Sequence, residues 1–467
     1  MTKVLILGLD CADPRLVFDR WRQELPNLRR LMEAGVWGPL QSTIPPITVP
    51  AWACMMTGRD PGELGIYGFR NRTSYQYGAL GITSSLSVQE EALWDILGRT
   101  GREVVVVGVP PSYPVKPVRG CLISCFLTPN AEVPFTHPPE LKEEVQRLVG
   151  GYQFDVEGFR TDDKPRLLQQ IHEMTGKRFR VLKHLLTRKP WDFFMSMEIG
   201  VDRMHHGFWK FHDEDHIKHP PGNPYQYVIR DYYRYVDKEI GELLEFVDDD
   251  TVIIVLSDHG VKRMEGGLCV NEWLMKQKYL SLSAYPKKLT SLSKLEVNWD
   301  RTMVWGEGGY YGRIYLNVKG REPQGVIAQN DVEKIRADLK QGLEELSDES
   351  GRPLGTRVFY PEEVYQQVRG IPPDLIVYFG DLDWRSVGTV GHGSIHTREN
   401  DTGPDDANHD THGIFIMAKK ADLKGSGVGV GTRLDGLSLY DVTPTVLDLF
   451  GLPTPPLMHG RVISPRA

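Results

Sequence analysis

The chain has 467 residues, of which 40% are hydrophobic, 25% charged and 10% aromatic, enough for one large α/β domain with insertions or for two or three domains. Its net charge of −7 argues against general affinity for nucleic-acid polymers or anionic membranes, but leaves room for small anionic substrates where metal ions supply local positive charge. No apolar run approaches the ~18 residues of a membrane span. The five cysteines, odd in number and without a Cys-x-x-Cys pair, fit a reducing compartment, so a cytoplasmic location away from membranes is expected.

"KVLILGLD" (3–10) reads as a strand buried on both faces, and it ends in Asp10, where open α/β sheets place their ligands. No Gly-x-Gly-x-x-Gly turn follows, so the strand end offers a carboxylate and not a phosphate cradle. A helix is predicted over 25–35. In "STIPPITVPAWACMMTG" (42–58), Pro50 suits a first helical turn and Thr57-Gly58 an end. Thr48 then stands at the helix N-terminus, either as a simple N-cap or where the dipole favours an alkoxide and an incoming anion. Further on come a helix (90–101), a strand (103–110), a long helix (165–188), a strand (191–200), a helix (230–249) and the strand "TVIIVLSDHG" (251–260). This alternation predicts a mainly parallel sheet covered on both faces. After residue 260 the texture changes. Strands at 312–320 and 373–381 and a helix at 330–348 suggest a small inserted α+β subdomain over 262–400, within a main domain of 1–261 and 401–467. The main fold resumes at 413–420 and closes with a helix ending at Gly451.

Polar residues gather at the predicted strand ends. Asp10 follows the first strand, Asp202 and His206 follow the strand ending at Gly200, and Asp258 with His259 end "VIIVLSDHG". "DDANHDTHGIF" adds His409 and His412 just before a strand. Aspartates and histidines converging on one sheet edge form a dimetal inventory. If a helix begins near residue 202, Asp202 and His206 share one face and can grip one ion. A metal beside Thr48 would lower its hydroxyl pKa enough to make it nucleophilic.

The segments "LGLDCADP", "TVPAWACMMTG", "DRMHHGFW", "LSDHG", "NHDTHGIFI" and "LYDVTPTVLDLFGLP" occur in one order from residue 3 to about 460. In that order the chain resembles the alkaline phosphatase superfamily, and within it the type I phosphodiesterase/nucleotide pyrophosphatase family. The resemblance implies a three-layer α/β/α sandwich and two divalent ions, zinc first and manganese second. One ion would be held by Asp10, Thr48, Asp258 and His259, the other by Asp202, His206 and a late histidine. Counting back from Gly413 selects His409 over His412, and the Asp-x-x-x-His spacing selects His206 over His205. Thr48 would attack phosphorus and pass through a phosphothreonine, acting on a small phosphorylated substrate such as a nucleotide or other phosphodiester.

The sequence departs from the family in "GELGIYGFRNR" (62–72), with Leu64 in place of a histidine and Phe69 in place of a phosphate-holding asparagine. Arg72, with Asn71 beside it, is expected to supply that phosphate contact, which would favour monoesters or small charged diesters. A sulfatase is disfavoured because threonine cannot become formylglycine. A phosphomonoesterase or phosphonate hydrolase is the enzyme alternative, and a metal-binding sensor of phosphorylated ligands the non-enzyme one. Tyr310, Tyr311 and Trp305 are expected to pack a small sheet, not to stack on a ligand.

Overall fold

A run such as Val4–Leu9, buried at every residue, is stable only in the middle of a sheet, and that is where it lies in the computed structural model, which describes residues 2–424 and 431–464. The ten strands of the main sheet are β1 (Lys3–Leu9), β2 (Val36–Gln41), β3 (Val104–Val107), β4 (Gly120–Ile123), β5 (Thr136–His137), β6 (Phe193–Glu198), β7 (Thr251–Leu256), β8 (His412–Lys419), β9 (Thr432–Arg433) and β10 (Leu437–Ser438). Their spatial order is β9-β2-β8-β7-β1-β6-β3-β4-β5, with β10 also on β2. The central five, β7-β1-β6-β3-β4, are parallel, and β8 runs antiparallel to β7 and β2.

The helices form two layers. On one side α1 (Pro26–Ala34), α3 (Lys164–Arg188), α4 (Gly200–His212) and α5 (Val228–Leu244) pack against one another. On the other, α2 (Thr48–Thr57) packs against α6 (Val442–Leu449). Two of these helices each bury one apolar stripe: Ile171, Met174, Leu182 and Leu185 in α3, and Ile229, Val236, Ile240 and Leu243 in α5. This is the expected three-layer α/β/α sandwich.

A second core gathers buried side chains from Leu268 to Val390 around an antiparallel sheet of Val304–Glu307, Gly312–Leu316, Arg357–Phe359 and Leu375–Tyr378, with the helix Val332–Glu344 beside it. A third cluster joins it to the start of α2, with Ile47 next to Thr48 packing among Tyr67, Tyr311, Tyr365 and Ile376. Trp305 and Tyr311 are core residues, as expected. Among the described residues no helix is long and apolar enough to cross a membrane, and all five cysteines are free and buried.

The sequence reading passes over β2, whose "VWGPLQ" breaks the strand pattern with Gly38 and Pro39. The glycine is required by contact, since a Cβ there would collide with the carbonyl oxygen of Leu434. Gly8 in β1 has a similar role. A Cβ would overlap the Trp52 ring and lie 3.0 Å from the carbonyl oxygen of Ser196. Gly8→Ala is expected to destabilise the protein by about 1–3 kcal/mol, seen as a lower urea midpoint at unchanged slope. An unchanged midpoint would mean that the indole has room to retreat.

Candidate active site

Three strands of the parallel core, β1, β6 and β7, deliver polar residues to the same edge. Asp10 follows β1, and Cys11, in the left-handed region at φ 66°, turns the chain so that its N–H reaches Asp258 Oδ1 at 3.3 Å. The Trp52 Nε1–H donates to Asp10 Oδ2 at 2.9 Å, an approach that Gly8 makes room for. Asp258 and His259 follow β7. After β6, helix α4 carries Asp202 and His206 on one face, with His206 Nε2 3.2 Å from Asp202 Oδ1. His409 arrives on a short strand, Ala407–Asp410, that pairs antiparallel with Gly260–Arg263. Thr48 is the first residue of α2. Ile47 is the cap, without a side-chain cap bond, so the Thr48 hydroxyl is not used as one. Its Oγ1 lies 3.2 Å from His259 Nε2. All seven side chains are buried, none more than 3% exposed.

The three histidines share one orientation. Nδ1 of His206 meets Asp405 Oδ1 at 2.8 Å, that of His259 meets the Gly260 carbonyl at 3.0 Å, and that of His409 meets the Pro46 carbonyl at 2.9 Å. With Nδ1–H donated outward, each Nε2 lone pair points inward. His206 and His409 then face each other Nε2 to Nε2 at 3.3 Å, and the rings of His259 and His409 stack at 3.8 Å. Two acceptors at that distance require a cation or a proton between them.

The carboxylates make the same demand. Asp10 Oδ1, Asp202 Oδ1 and Asp258 Oδ2 are buried without a hydrogen-bond partner. Burial, then repulsion from Asp202, raises the proton affinity of Asp10, and burial, then Asp10, raises that of Asp258. Burial also lowers His259 to about 4 and holds His409 well below its ordinary value. Unpaired carboxylate oxygens facing neutral imidazole nitrogens are the donor set of a divalent cation. Two groups have donors within 4.8 Å of one another, Asp202–His206–His409 and Asp10–Asp202–His259. His206 differs. Burial opposes its charge, but Asp405, Tyr310 and Asp202 raise it to about 10. A further cluster, Asp60–Glu63–His459, is consumed by a capping box and by the His459–Glu63 bond.

Residues 4–414 match the family described as type I phosphodiesterase / nucleotide pyrophosphatase. The chain belongs to that family. Among solved structures it is similar to human ectonucleotide pyrophosphatase/phosphodiesterase 5, at 14% identity and a TM-score of 0.52, covering 98% of this chain and 97% of that one. An inactive murine form of that protein in complex with AMP gives 14% and 0.53 over the same shares. The phosphonoacetate hydrolase of Sinorhizobium meliloti 1021, in complex with phosphonoacetate, gives 15% and 0.58, covering 95% and 94%. A stretch of 91 residues, 19% of this chain, is 30% identical to GPI ethanolamine phosphate transferase 3 of Saccharomyces cerevisiae and spans 8% of that protein's length.

Not every residue singled out in the sequence of this family member stands at the cluster. His205 turns away on α4 into a buried contact with Tyr233 Oη at 3.2 Å, and His412 is exposed beside Thr411. Arg72, expected to hold phosphate, is buried in an ion pair with Glu322 at 3.1 Å, its guanidinium within 5.3 Å of the Tyr75, Trp305 and Tyr315 ring centroids. Asn71 spends its amide on the Gly68 carbonyl, on Thr83 and on the Tyr67 N–H. Both side chains are thus committed within the protein.

Sequence reasoning missed Arg203, which follows Asp202 and pairs with it and with Asp155, and also Asp405, which orients His206 and pairs with Arg160 at 2.9 Å and Arg385 at 3.0 Å. The acidic loop 398–410 did hold a signal. Two of its aspartates are spent on cationic side chains: Asp405 meets arginines and a histidine, and Asp406 meets Lys210 and Lys218.

Burial lowers His205 to about 3. Its folded value thus lies below the unfolded ~6.5, so the unfolded chain takes a proton that the native state refuses. The resulting stability is present above pH ~6.5 and is lost as the pH falls towards the folded value. The metal-free protein is expected to lose up to ~1.4 kcal/mol per pH unit from this group below that point. Urea midpoints from pH 7 to 5 should therefore fall less steeply in His205→Asn; parallel slopes would contradict the assignment.

Proposed function

We propose that this chain is a dimetal phosphoester hydrolase of the phosphodiesterase type, with Thr48 as its nucleophile. The observation that carries the reading is the position of the Thr48 hydroxyl. It is buried at the start of α2, free of a capping role, and 3.2 Å from His259 Nε2 beside the unpaired carboxylate oxygens. Asp10, Thr48, Asp258 and His259 would hold one cation, and Asp202, His206 and His409 the other. The donor set suits zinc first and manganese second. Such ions, when bound, neutralise phosphate oxygens and lower the pKa of a bound hydroxyl.

The chain's own residues account for the remaining steps. The first-turn N–H groups of α2 and its dipole favour an anion next to Thr48. Thr48 Oγ1 attacks phosphorus, the bond to the leaving alcohol breaks, and a phosphothreonine forms. Water then attacks phosphorus and the Thr48 hydroxyl is restored. Trp52 fixes Asp10, and Asp405 fixes the His206 ring with Nε2 facing the site. The substrate class is a small phosphodiester. Phosphonate or monoester hydrolysis is a second reading, favoured by the concentration of arginines beside the site. A sensor of phosphorylated ligands would have no need of a buried, uncapped hydroxyl at the cluster.

Thr48→Ala is expected to reduce hydrolysis of bis(p-nitrophenyl) phosphate by roughly a thousandfold or more in zinc- or manganese-loaded protein. Acid quenching of the wild type should trap phosphate on Thr48, detected by mass spectrometry; an active Ala variant would rule the nucleophile out. Asp405→Asn should weaken zinc binding by about 10- to 100-fold, measured by competition with a chromogenic chelator. Unchanged affinity would leave Asp405 with only its arginine pairs.

A further inference from the structure

Beside the candidate ligands lies a cavity of about 420 Å³, within the size range of small-ligand sites. Three of its lining residues adjoin the cluster: Ile47 precedes Thr48, Arg203 follows Asp202, and the Tyr310 ring stacks on His409 at 3.8 Å. Its lining includes Arg70, Arg160, Arg203, Arg313 and Arg385, and no carboxylate among the described residues.

The carboxylates behind this wall do not balance it. Asp405 is shared between Arg160, Arg385 and His206, and Asp155 takes Arg203. Glu307 stands near both Arg313 and Arg70, one carboxylate for two guanidiniums. Asp202, which also meets Arg203, belongs to the candidate ligand set. Arg313 donates to the Arg70 and Gly308 carbonyls and meets the Tyr315 hydroxyl, none of them a carboxylate, the Arg385 Nε–H is buried without a partner, and Arg70 is exposed with no ion pair among the described residues. Positive charge is thus left over at the cavity wall.

Of the four aromatic residues in the same wall, all but Phe69 are already engaged. Tyr310 carries His409 and, at 4.2 Å from its centroid, the Arg385 guanidinium. Phe159 carries Arg203 at 4.2 Å and Arg160 at 4.3 Å. Tyr311 is buried, its hydroxyl donating to the Tyr67 carbonyl. A nucleobase or aryl group finds little free surface on which to stack, whereas an oxyanion finds several guanidinium forks.

We infer that this cavity holds a non-reacting part of the substrate that bears its own anionic oxygen group, a carboxylate or a second phosphate, gripped by Arg70, Arg313 and Arg385. The inference rests on the hydrolase reading for the word substrate, but the binding it requires can be measured without turnover. Metal-loaded protein would be titrated calorimetrically with phenylphosphonate, 3-carboxyphenylphosphonate and 1,3-phenylenediphosphonate. All three present the same phosphonate to the metal cluster, so differences report the second group. One or both doubly charged probes should bind at least about 10-fold more tightly than phenylphosphonate at low salt, and the stronger of the two identifies the group. That advantage should shrink in Arg70→Gln and in Arg313→Gln, and with added salt. Equal affinities, an advantage that survives both substitutions, or no binding by any probe would overturn the inference. Binding with the advantage intact, but no hydrolysis of the matching p-nitrophenyl esters, would overturn the hydrolase reading and leave the anion site standing.

Discussion

Carboxylates from three separate segments, Asp10, Asp202 and Asp258, are buried side by side at the open edge of the sheet, and like charges in a dry site repel unless cations intervene. Much of the molecule can be read as the frame that holds them there. The parallel strands bring Asp10 and Asp258 to one level, α4 supplies Asp202 and His206 from the next crossover, and the hairpin-like pairing of 407–410 with 260–263 adds His409. The inward-facing Nε2 atoms and the unpaired carboxylate oxygens are costly features in a protein interior. They make sense together as one donor set.

The surroundings of that set differ in kind from the set itself. Trp52, Asp405 and the backbone carbonyls of Pro46 and Gly260 orient the donors without joining them. Gly8 belongs with these, since its missing side chain admits the indole that holds Asp10. Tyr310 comes from the sheet of the second core, at the turn between Val304–Glu307 and Gly312–Leu316, and its ring covers His409. The second core is therefore tied to the cluster by a direct contact as well as by the apolar joint around Ile47 and Tyr311.

Charge in the chain as a whole says little about this locality. The net charge is −7, yet five arginines line one cavity beside the cluster. Arg70 is exposed, and the other four stay cationic because each is stacked on an aromatic face, shared with a carboxylate or bonded to carbonyls. Such a wall acts through proximity and a low local dielectric, neither of which a global charge count records.

By itself the sequence determined the alternation of apolar strands with amphipathic helices, and hence the sheet, its two helical layers and the edge at which polar residues emerge. That much was legible because period and burial are local properties: Val4–Leu9 and Thr251–Leu256 have no other stable place than a sheet interior. The structure also brings together Asp10, Thr48, Asp202, His206, Asp258, His259 and His409; their places near strand ends and helix starts suggest most of them, while His206 and His409 are chosen over their neighbours by the resemblance. The strand Val36–Gln41 was not legible, because its Gly38 answers to a crossing segment at Leu434. Only the tertiary structure decided what Arg72 does, since its partner Glu322 lies 250 residues away, and likewise Asp405, whose partner His206 lies 199 away. Side chains whose meaning is set by a distant partner carry no local pattern. The arginines of the cavity come from five separate stretches of chain, and nothing short of the fold places them together.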